Sequence, residues 1–181
     1  YEGNHDFAGL LRKVETVCKS LGKDNVPVIA KEVGWGFSEH NCRQLAEAGV
    51  AAIDVAGAGG TSWSKVEMHR APTASQARIA AAFDDWGIPT ERALHNALLG
   101  APKLPIFASG GLRNGIDIAK CIAIGATLAG MAKPFLEASV VSIEAVLEVV
   151  HELNQQMRIS FFCAGVSDVI AMQGTTLIRR G

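Results

Sequence analysis

The residues best suited to chemistry form a short stretch with almost no side chains. Ala56 to Thr61 read AGAGGT and follow an apolar run. Backbone N–H groups without side chains in the way suit an anionic phosphate, and the Thr61 hydroxyl adds a donor. Ala56 and Thr61 are therefore candidate binding residues. A tight glycine turn is the other interpretation, but Gly110 and Gly111 follow the next apolar run in the same way, which favours a binding role.

A second candidate is Lys31, which ends an otherwise apolar run. Burying its ammonium without a partner would be unfavourable, so the side chain must reach solvent or the mouth of the fold. It is either a solvated lysine or a fixed cation beside an electron-rich ring. Glu32 should point to the opposite side of the strand, and we expect it to orient neighbouring groups or pair with a helix rather than carry a proton.

These residues must be held by buried strands, because each follows a run rich in apolar residues. The sequence predicts four strands: Val26–Val33, Ala51–Gly57, Leu104–Gly111 and Ala126–Pro134. Nearly continuous apolar strands that alternate with helices indicate a parallel sheet covered by helices.

The helices between the strands are marked by caps. Ser38 is predicted to cap a helix that Gly49 closes, and Asn114 to cap a helix over Ile116–Ile124. Two helical pieces are expected in the stretch that runs from SQARIAAAFDDWG through TERALHNALLG, with Thr90 as a cap. Pro134 suits the first turn of a helix. One more helix is expected from Ser142, with the apolar face Ile143, Val146, Leu147, Val150, Leu153 and Met157.

Four such units fit either an open doubly wound sheet or part of an eight-stranded barrel. A dinucleotide-binding sheet would place G-x-G-x-x-G after its first strand, and GAGGTS lacks that spacing. A barrel brings the carboxyl ends of its strands to one mouth, which is where the polar and glycine-rich residues lie here. A complete barrel needs about 250 residues, so the sequence predicts half of a (β/α)₈ barrel, as one domain over residues 1–181.

Several segments resemble one family closely. VIAKEVGWGFS, AAIDVAGAGGTSW, FDDWGIPT, ASGGLRNGIDIAKCIAIGA and GMAKPFL look like the type 2 isopentenyl-diphosphate Δ-isomerases, in that family's order. The opening EGNHDF resembles the segment after the family's Gln-Glu catalytic motif. The resemblance implies the C-terminal half of an FMN-binding TIM barrel, strands 5 to 8. It also implies an isomerase of isopentenyl and dimethylallyl diphosphate that uses reduced FMN, magnesium and NADPH as reductant.

The resemblance also implies where the cofactor lies. It places Lys31 against the flavin, and it makes the third and fourth strands the two that carry the FMN phosphate in this fold. Gly110, Gly111, Met131 and Ala132 would then supply backbone donors. The Gln-Glu motif is not in this chain, so no catalytic residue is assigned, and no metal ligand is expected from it.

Four residues near the strand ends keep two interpretations each. Trp35 and Trp63 are expected in loops, where they cover a ligand or pack in the core or an interface. Arg113 either reaches a phosphate or is a solvated loop residue. Lys133, where the resembled family commonly has a small or apolar residue, either strengthens phosphate binding or points outward.

Composition excludes several classes of partner. Seventeen basic and 18 acidic residues without a basic run give no reason to expect nucleic acid or an anionic membrane. No apolar run reaches the roughly 20 residues of a membrane span, and the first ten residues do not read as a signal peptide. Cys18, Cys42, Cys121 and Cys163 lack metal or redox spacing, and we expect reduced, mostly buried thiols in a cytoplasmic protein.

Three functions remain open: the flavin isomerase, an FMN barrel of the 2-hydroxy-acid oxidase type, and a half-barrel that only binds a phosphate ligand or a partner chain. The oxidase needs a His base and an Arg clamp at the strand ends, and neither glycine loop contains a His. The predicted edge strands, Val26–Val33 and Ala126–Lys133, would seek another chain, so we expect an oligomer or a larger parent protein.

Overall fold

Parallel strands alternate with helices along the chain, as the sequence predicted. The computed structural model describes residues 5–177, so Glu2 to Asn4 of the EGNHDF segment lie outside the described residues. The elements are α1 Leu10–Gly22, β1 Ile29–Lys31, α2 Glu39–Glu47, β2 Ala52–Asp54, α3 Trp63–Arg70, α4 Ala74–Ala81, α5 Thr90–Gly100, β3 Ile106–Ala108, α6 Gly115–Ile124, β4 Leu128–Ala129, α7 Lys133–Ser139, α8 Ile143–Ala164 and α9 Val169–Met172.

The four strands form one parallel sheet in the order β1-β2-β3-β4. This sequential order belongs to consecutive strands of a (β/α)₈ barrel, whereas a doubly wound sheet reverses its strand order at a switch point. The predicted half-barrel is confirmed, and β1 and β4 are its edges.

The two faces of the sheet differ in what covers them. Ile53, Ile106 and Ala108 are buried in the core together with residues of α5 and α6. On the other face, which we call the open face, Ile29 and Leu128 keep 49% and 53% of their surface exposed. Lys31 and Asp54 share this open face, since Lys31 pairs with Asp54 and Ile29 lies two residues before Lys31.

The strands are shorter than the sequence predicted, two or three residues each, because side chains or turns take over the backbone groups where each strand ends. After β1 the Glu32 carboxylate accepts the N–H groups of the next residues. After β2 the Asp54 carboxylate accepts the Ala56 N–H.

Most predicted caps are confirmed. The Ser38 and Asn114 side chains each accept the backbone N–H three residues on, and Gly49 follows α2 with φ +95°. Ser142, where a helix was expected to begin, caps α8 in the same way. Pro134 lies in the first turn of α7.

The predicted apolar face of α8 is only partly correct. Val146, Leu153 and Met157 are half-buried, but Ile143 and Leu147 are exposed by 76% and 62%, and Val150 is exposed as well. The reason is a close helix contact, in which a Cβ on Gly115 would lie 2.5 Å from the Leu153 carbonyl oxygen. This contact with α6 fixes which side of α8 faces the core.

Candidate functional site

Three polar side chains meet on the open face at the carboxyl ends of β1, β2 and β3. The Lys31 Nζ donates to Asp54 Oδ2 at 2.6 Å and to Ser109 Oγ at 3.2 Å. The Ser109 hydroxyl donates to Asp54 Oδ1 at 2.5 Å. The Lys31 side chain is 56% exposed and that of Asp54 only 16%, so the carboxylate lies beneath the ammonium.

Of these three residues, the sequence predicted only Lys31. Asp54 and Ser109 were missed, because their contacts with Lys31 span 23 and 78 residues of chain. The available signal was positional, since both residues end or directly follow a buried strand in a fold that gathers strand ends at one mouth.

Glu32 organises the loop after β1. Its Oε2 accepts the backbone N–H groups of Val33, Gly34, Trp35 and Gly36 at 2.7 to 3.2 Å. The prediction that Glu32 orients its neighbours is confirmed. Its carboxylate holds the chain in a turn beside Lys31.

The glycine loops after β2 and β3 pack directly against each other. A Cβ on Gly110 would lie 2.1 Å from the Gly57 carbonyl oxygen, and one on Gly57 would lie 2.4 Å from the Thr90 Cα. Real Cβ atoms essentially never come within 3.0 Å of another heavy atom. Close packing of two backbones is thus one reason for the missing side chains.

The first three N–H groups of the glycine stretch after β2 already have acceptors within the protein. Ala56 donates to Asp54, Gly57 to the Ser109 carbonyl at 3.0 Å, and Ala58 to the Ile88 carbonyl at 2.8 Å. Ala56 is buried with φ +32°, an unusual conformation for a residue with a Cβ. These bonds fix the loop, so the donors must come from the residues beyond it.

A second group of N–H groups donates to no residue within the described range 5–177. Its members lie after β2, β3 and β4, and they are Gly59, Gly60, Thr61, Gly110, Gly111, Met131 and Ala132. The loops after β2 and β3 are adjacent, because Gly59 and Gly60 contact Gly110 and Gly111. Unpartnered amides concentrated at neighbouring strand ends are suited to an anionic ligand.

Thr90 does not cap α5 as predicted. It is the first residue of the helix, Pro89 holds the cap position, and no side chain accepts there. Its hydroxyl instead donates to the carbonyl oxygens of Gly110 at 2.6 Å and Ser109 at 3.3 Å. Carbonyls at the end of β3 need donors where the ladder stops, and Thr90 supplies one from α5.

The structure gives a position for each of the four residues that kept two interpretations. Trp63 begins α3 rather than lying in a loop, and its Nε1 donates to the Val33 carbonyl at 2.8 Å. The Trp35 Nε1 is buried and has no partner among the described residues. Arg113 is exposed, and Lys133 lies 3.6 Å from Glu137 with 75% of its side chain exposed, so Lys133 points outward.

Another concavity borders the glycine loop from the helix side. A groove of about 1060 Å³ lies between α5 and α6, and Gly110 and Gly111 form part of its wall. Neither Lys31 nor Asp54 lines it. Gly110 and Gly111 thus border this groove, whereas Lys31 and Asp54 lie outside it on the open face.

Two of the four cysteines are buried, fewer than expected. Burial raises the pKa of the Cys42 thiol and of the Cys121 thiol to about 11, whereas Cys163 is exposed. Among residues 5–177, no cluster of three or more His, Cys, Asp or Glu side chains has a metal-binding arrangement. Within the same range, no helix is both long and apolar enough for a membrane span.

Comparison with protein families gives one match to nearly the whole chain. The model of a family described as FMN-dependent dehydrogenase matches residues 12–179. An isopentenyl-diphosphate delta-isomerase of Stutzerimonas stutzeri is 47% identical over 177 residues, which are 98% of this chain and 50% of that protein. An isopentenyl-diphosphate delta-isomerase of a Nostoc species is 45% identical over 178 residues, again 98% and 50%. The chain spans about half the length of the curated relatives it matches.

The fold also has a solved counterpart. A GMP reductase of Trypanosoma brucei superposes on 94% of this chain and 38% of its own, with a TM-score of 0.69 and 22% identity. At this identity the likeness concerns the fold alone. The sheet and the helices around it are thus those of a recurring architecture.

Proposed function

Because the chain belongs to the FMN-dependent dehydrogenase family, we propose that it forms strands 5 to 8, the C-terminal half, of a type 2 isopentenyl-diphosphate isomerase barrel. The complete enzyme would interconvert isopentenyl and dimethylallyl diphosphate with reduced FMN, magnesium and NADPH as reductant. The observation that carries the proposal is the group of unpartnered amides beside Lys31. Two isomerase relatives at 45% and 47% identity support the choice of substrate.

The phosphate of FMN would bind the amides after β3 and β4. Gly110, Gly111, Met131 and Ala132 have N–H groups without partners in the described residues, and these loops follow the strands that carry phosphate in this fold. The residues present therefore fit the group. Thr61, exposed after β2, would add its hydroxyl, while Ala56 would shape the bend of the loop rather than donate.

Lys31 would hold the ring of the flavin. Its ammonium lies on the open face, and two of its three N–H groups already bond to Asp54 and Ser109. The third remains for an electron-rich atom of a ring. When bound, reduced flavin would supply the group that exchanges a proton with the unactivated alkene.

The two alternatives fit less well. An oxidase of 2-hydroxy acids needs a histidine base and an arginine clamp near the ring, and the loops AGAGG and SGGLR contain no histidine. A half-barrel that only binds ligand would not need Lys31 held by two partners. This binding-only function would be supported if adding the other half of the barrel restored no turnover.

The open face and the edge strands also bear on assembly. Ile29 and Leu128 are about half exposed, and among residues 5–177 no strand pairs with the outer edge of β1 or β4. We propose that a further half-barrel, in the same or another chain, covers this face, and that the protein oligomerises. A cytoplasmic location is proposed from the four free thiols.

The first experiment is the visible absorption spectrum of the purified protein before and after addition of FMN and removal of the excess. Retained flavin supports the site, and turnover of isopentenyl diphosphate with magnesium then tests the reaction. If the protein carrying both barrel halves retained no flavin, the proposal would be wrong. Mixing this chain with a separately expressed N-terminal half tests complementation, and restored turnover would reject the binding-only function.

A further inference from the structure

The side chain beneath Lys31 is Asp54, which none of the proposed cofactor contacts includes. Its Oδ2 lies 2.6 Å from the Lys31 Nζ, and its Oδ1 accepts from the Ser109 hydroxyl at 2.5 Å and from the Ala56 N–H at 3.2 Å. The carboxylate thus joins β1, the loop after β2 and the loop after β3. It is mostly buried, with 16% of its side chain exposed.

These contacts determine which donors remain for a ligand. Because the Ser109 hydroxyl gives its proton to Asp54, Ser109 can only accept from Lys31. Lys31 has three N–H groups, and Asp54 and Ser109 take two of them. One N–H therefore remains, in a direction that the carboxylate and the hydroxyl fix.

We propose that Asp54 is a positioning residue, which aims the remaining N–H of Lys31 at a bound flavin and fixes Ser109 as an acceptor. This inference rests on the proposed function, since it takes the flavin as the ligand of Lys31. Asp54 acts through Lys31 and does not touch the cofactor itself. A long, half-exposed lysine side chain would otherwise lose rotamer freedom on binding, and the carboxylate reduces that loss before the ligand arrives.

The test is a double-mutant cycle on the complete protein, with FMN affinity measured by quenching of flavin fluorescence. Asp54→Asn keeps the shape of the side chain and removes its charge, and we expect affinity to fall about tenfold, the lower end for a charge-assisted hydrogen bond because Lys31 is over half exposed. In a Lys31→Met background the same change should alter affinity less than about twofold, since nothing is left to aim.

A residue with a merely structural role would give a different pattern. Its substitution would weaken FMN binding by the same factor in both backgrounds, and that result would overturn the proposal. Unchanged affinity in Asp54→Asn alone would overturn it too. Glu15→Gln is the matched control, because it removes the carboxylate of another lysine–carboxylate pair, 2.5 Å from Lys19 within α1 and outside the loops after the strands, and should leave FMN affinity unchanged.

The remaining outcomes are also decisive. If Asp54→Asn shows no cooperative unfolding transition in a thermal melt, Ser109→Ala is used in its place. This variant removes the other partner of Lys31 and leaves the Asp54 carboxylate in place. It should then weaken FMN binding about two- to threefold in the wild type and not in the Lys31→Met background. Equal effects in both would overturn the proposal. If the wild type bound no FMN, the proposed function would fail as well, whereas binding without coupling would overturn only the role of Asp54.

Discussion

Replacing Gly110 by alanine tests whether the glycine loops are shaped by packing. The residue has φ +101°, and an added Cβ would lie 2.1 Å from the Gly57 carbonyl oxygen. Real Cβ atoms keep about 3.0 Å, so the loop after β3 or the loop after β2 must move by roughly 1 Å. Such a shift would stretch the 3.0 Å bond from the Gly57 N–H to the Ser109 carbonyl and the 2.6 Å bond from the Thr90 hydroxyl to Gly110.

The expected loss of stability follows from these terms. Holding an alanine at positive φ costs about 1–2 kcal/mol. Weakening two hydrogen bonds adds about 0.5–1.5 kcal/mol each. The free energy of unfolding should therefore fall by about 3 kcal/mol, and FMN retention should fall with it, because the Gly110 amide is among the proposed phosphate donors.

The assay is urea denaturation followed by tryptophan fluorescence, since the chain has three tryptophans. Gly130→Ala is the control, because no heavy atom lies within 4 Å of its added Cβ and its φ is not positive. The control should change the unfolding free energy by about 0.5 kcal/mol or less. If Gly110→Ala stayed within about 1 kcal/mol of the wild type, close packing would not explain the glycines.

Three further predictions concern other residues. Glu32→Ala should lower the unfolding free energy by about 2–3 kcal/mol in the same urea assay, because four N–H groups lose their shared acceptor. A change below about 0.5 kcal/mol, the size typical of a neutral surface substitution, would contradict this role. Thr61→Val should weaken FMN binding by about 0.5–1.5 kcal/mol in a fluorescence titration, and unchanged affinity would remove the hydroxyl from the site. The Cys42 and Cys121 thiols, with pKa values raised to about 11, should stay protonated and resist alkylation at pH values of about 8, while exposed Cys163 reacts. Their thiolate population rises only as pH approaches that raised pKa, so modification of either at the rate of Cys163 in the folded protein, read by mass spectrometry, would refute the burial.

The parts of the fold that depend on local sequence could be predicted. Ser38, Asn114 and Ser142 each stand directly before a helix and cap it through bonds to residues only three positions away. The four strands are visible as apolar runs, and their sequential order is that of the barrel which the residues at the strand ends favour. Such signals are contained in short windows of the chain.

The parts that depend on tertiary contacts could not be predicted. Thr90 has the residue type of a cap, but its hydroxyl bonds to carbonyls 19 and 20 residues away. Asp54 looks in the sequence like the polar end of a strand, and its role appears only when β1 and the loop after β3 are adjacent. The lengths of the strands were overestimated for the same reason, since side chains such as Glu32 take the N–H groups that a longer ladder would use.

The glycine stretch after β2 had two interpretations, a structural role and a binding role. The two are compatible, and they depend on each other. Gly110 and Gly111 lack side chains because the loops after β2 and β3 pack backbone to backbone, and Gly57 lacks one because Thr90 of α5 lies against it. That packing brings the loops after β2 and β3 together while the amides of Gly59, Gly60 and Gly111 keep no partner among the described residues. A tight turn alone would have used those amides in local hydrogen bonds, as Ala56 does with the Asp54 side chain. The close packing is therefore what makes a cluster of donors possible, and a substitution that separates the loops should weaken ligand binding as well as stability.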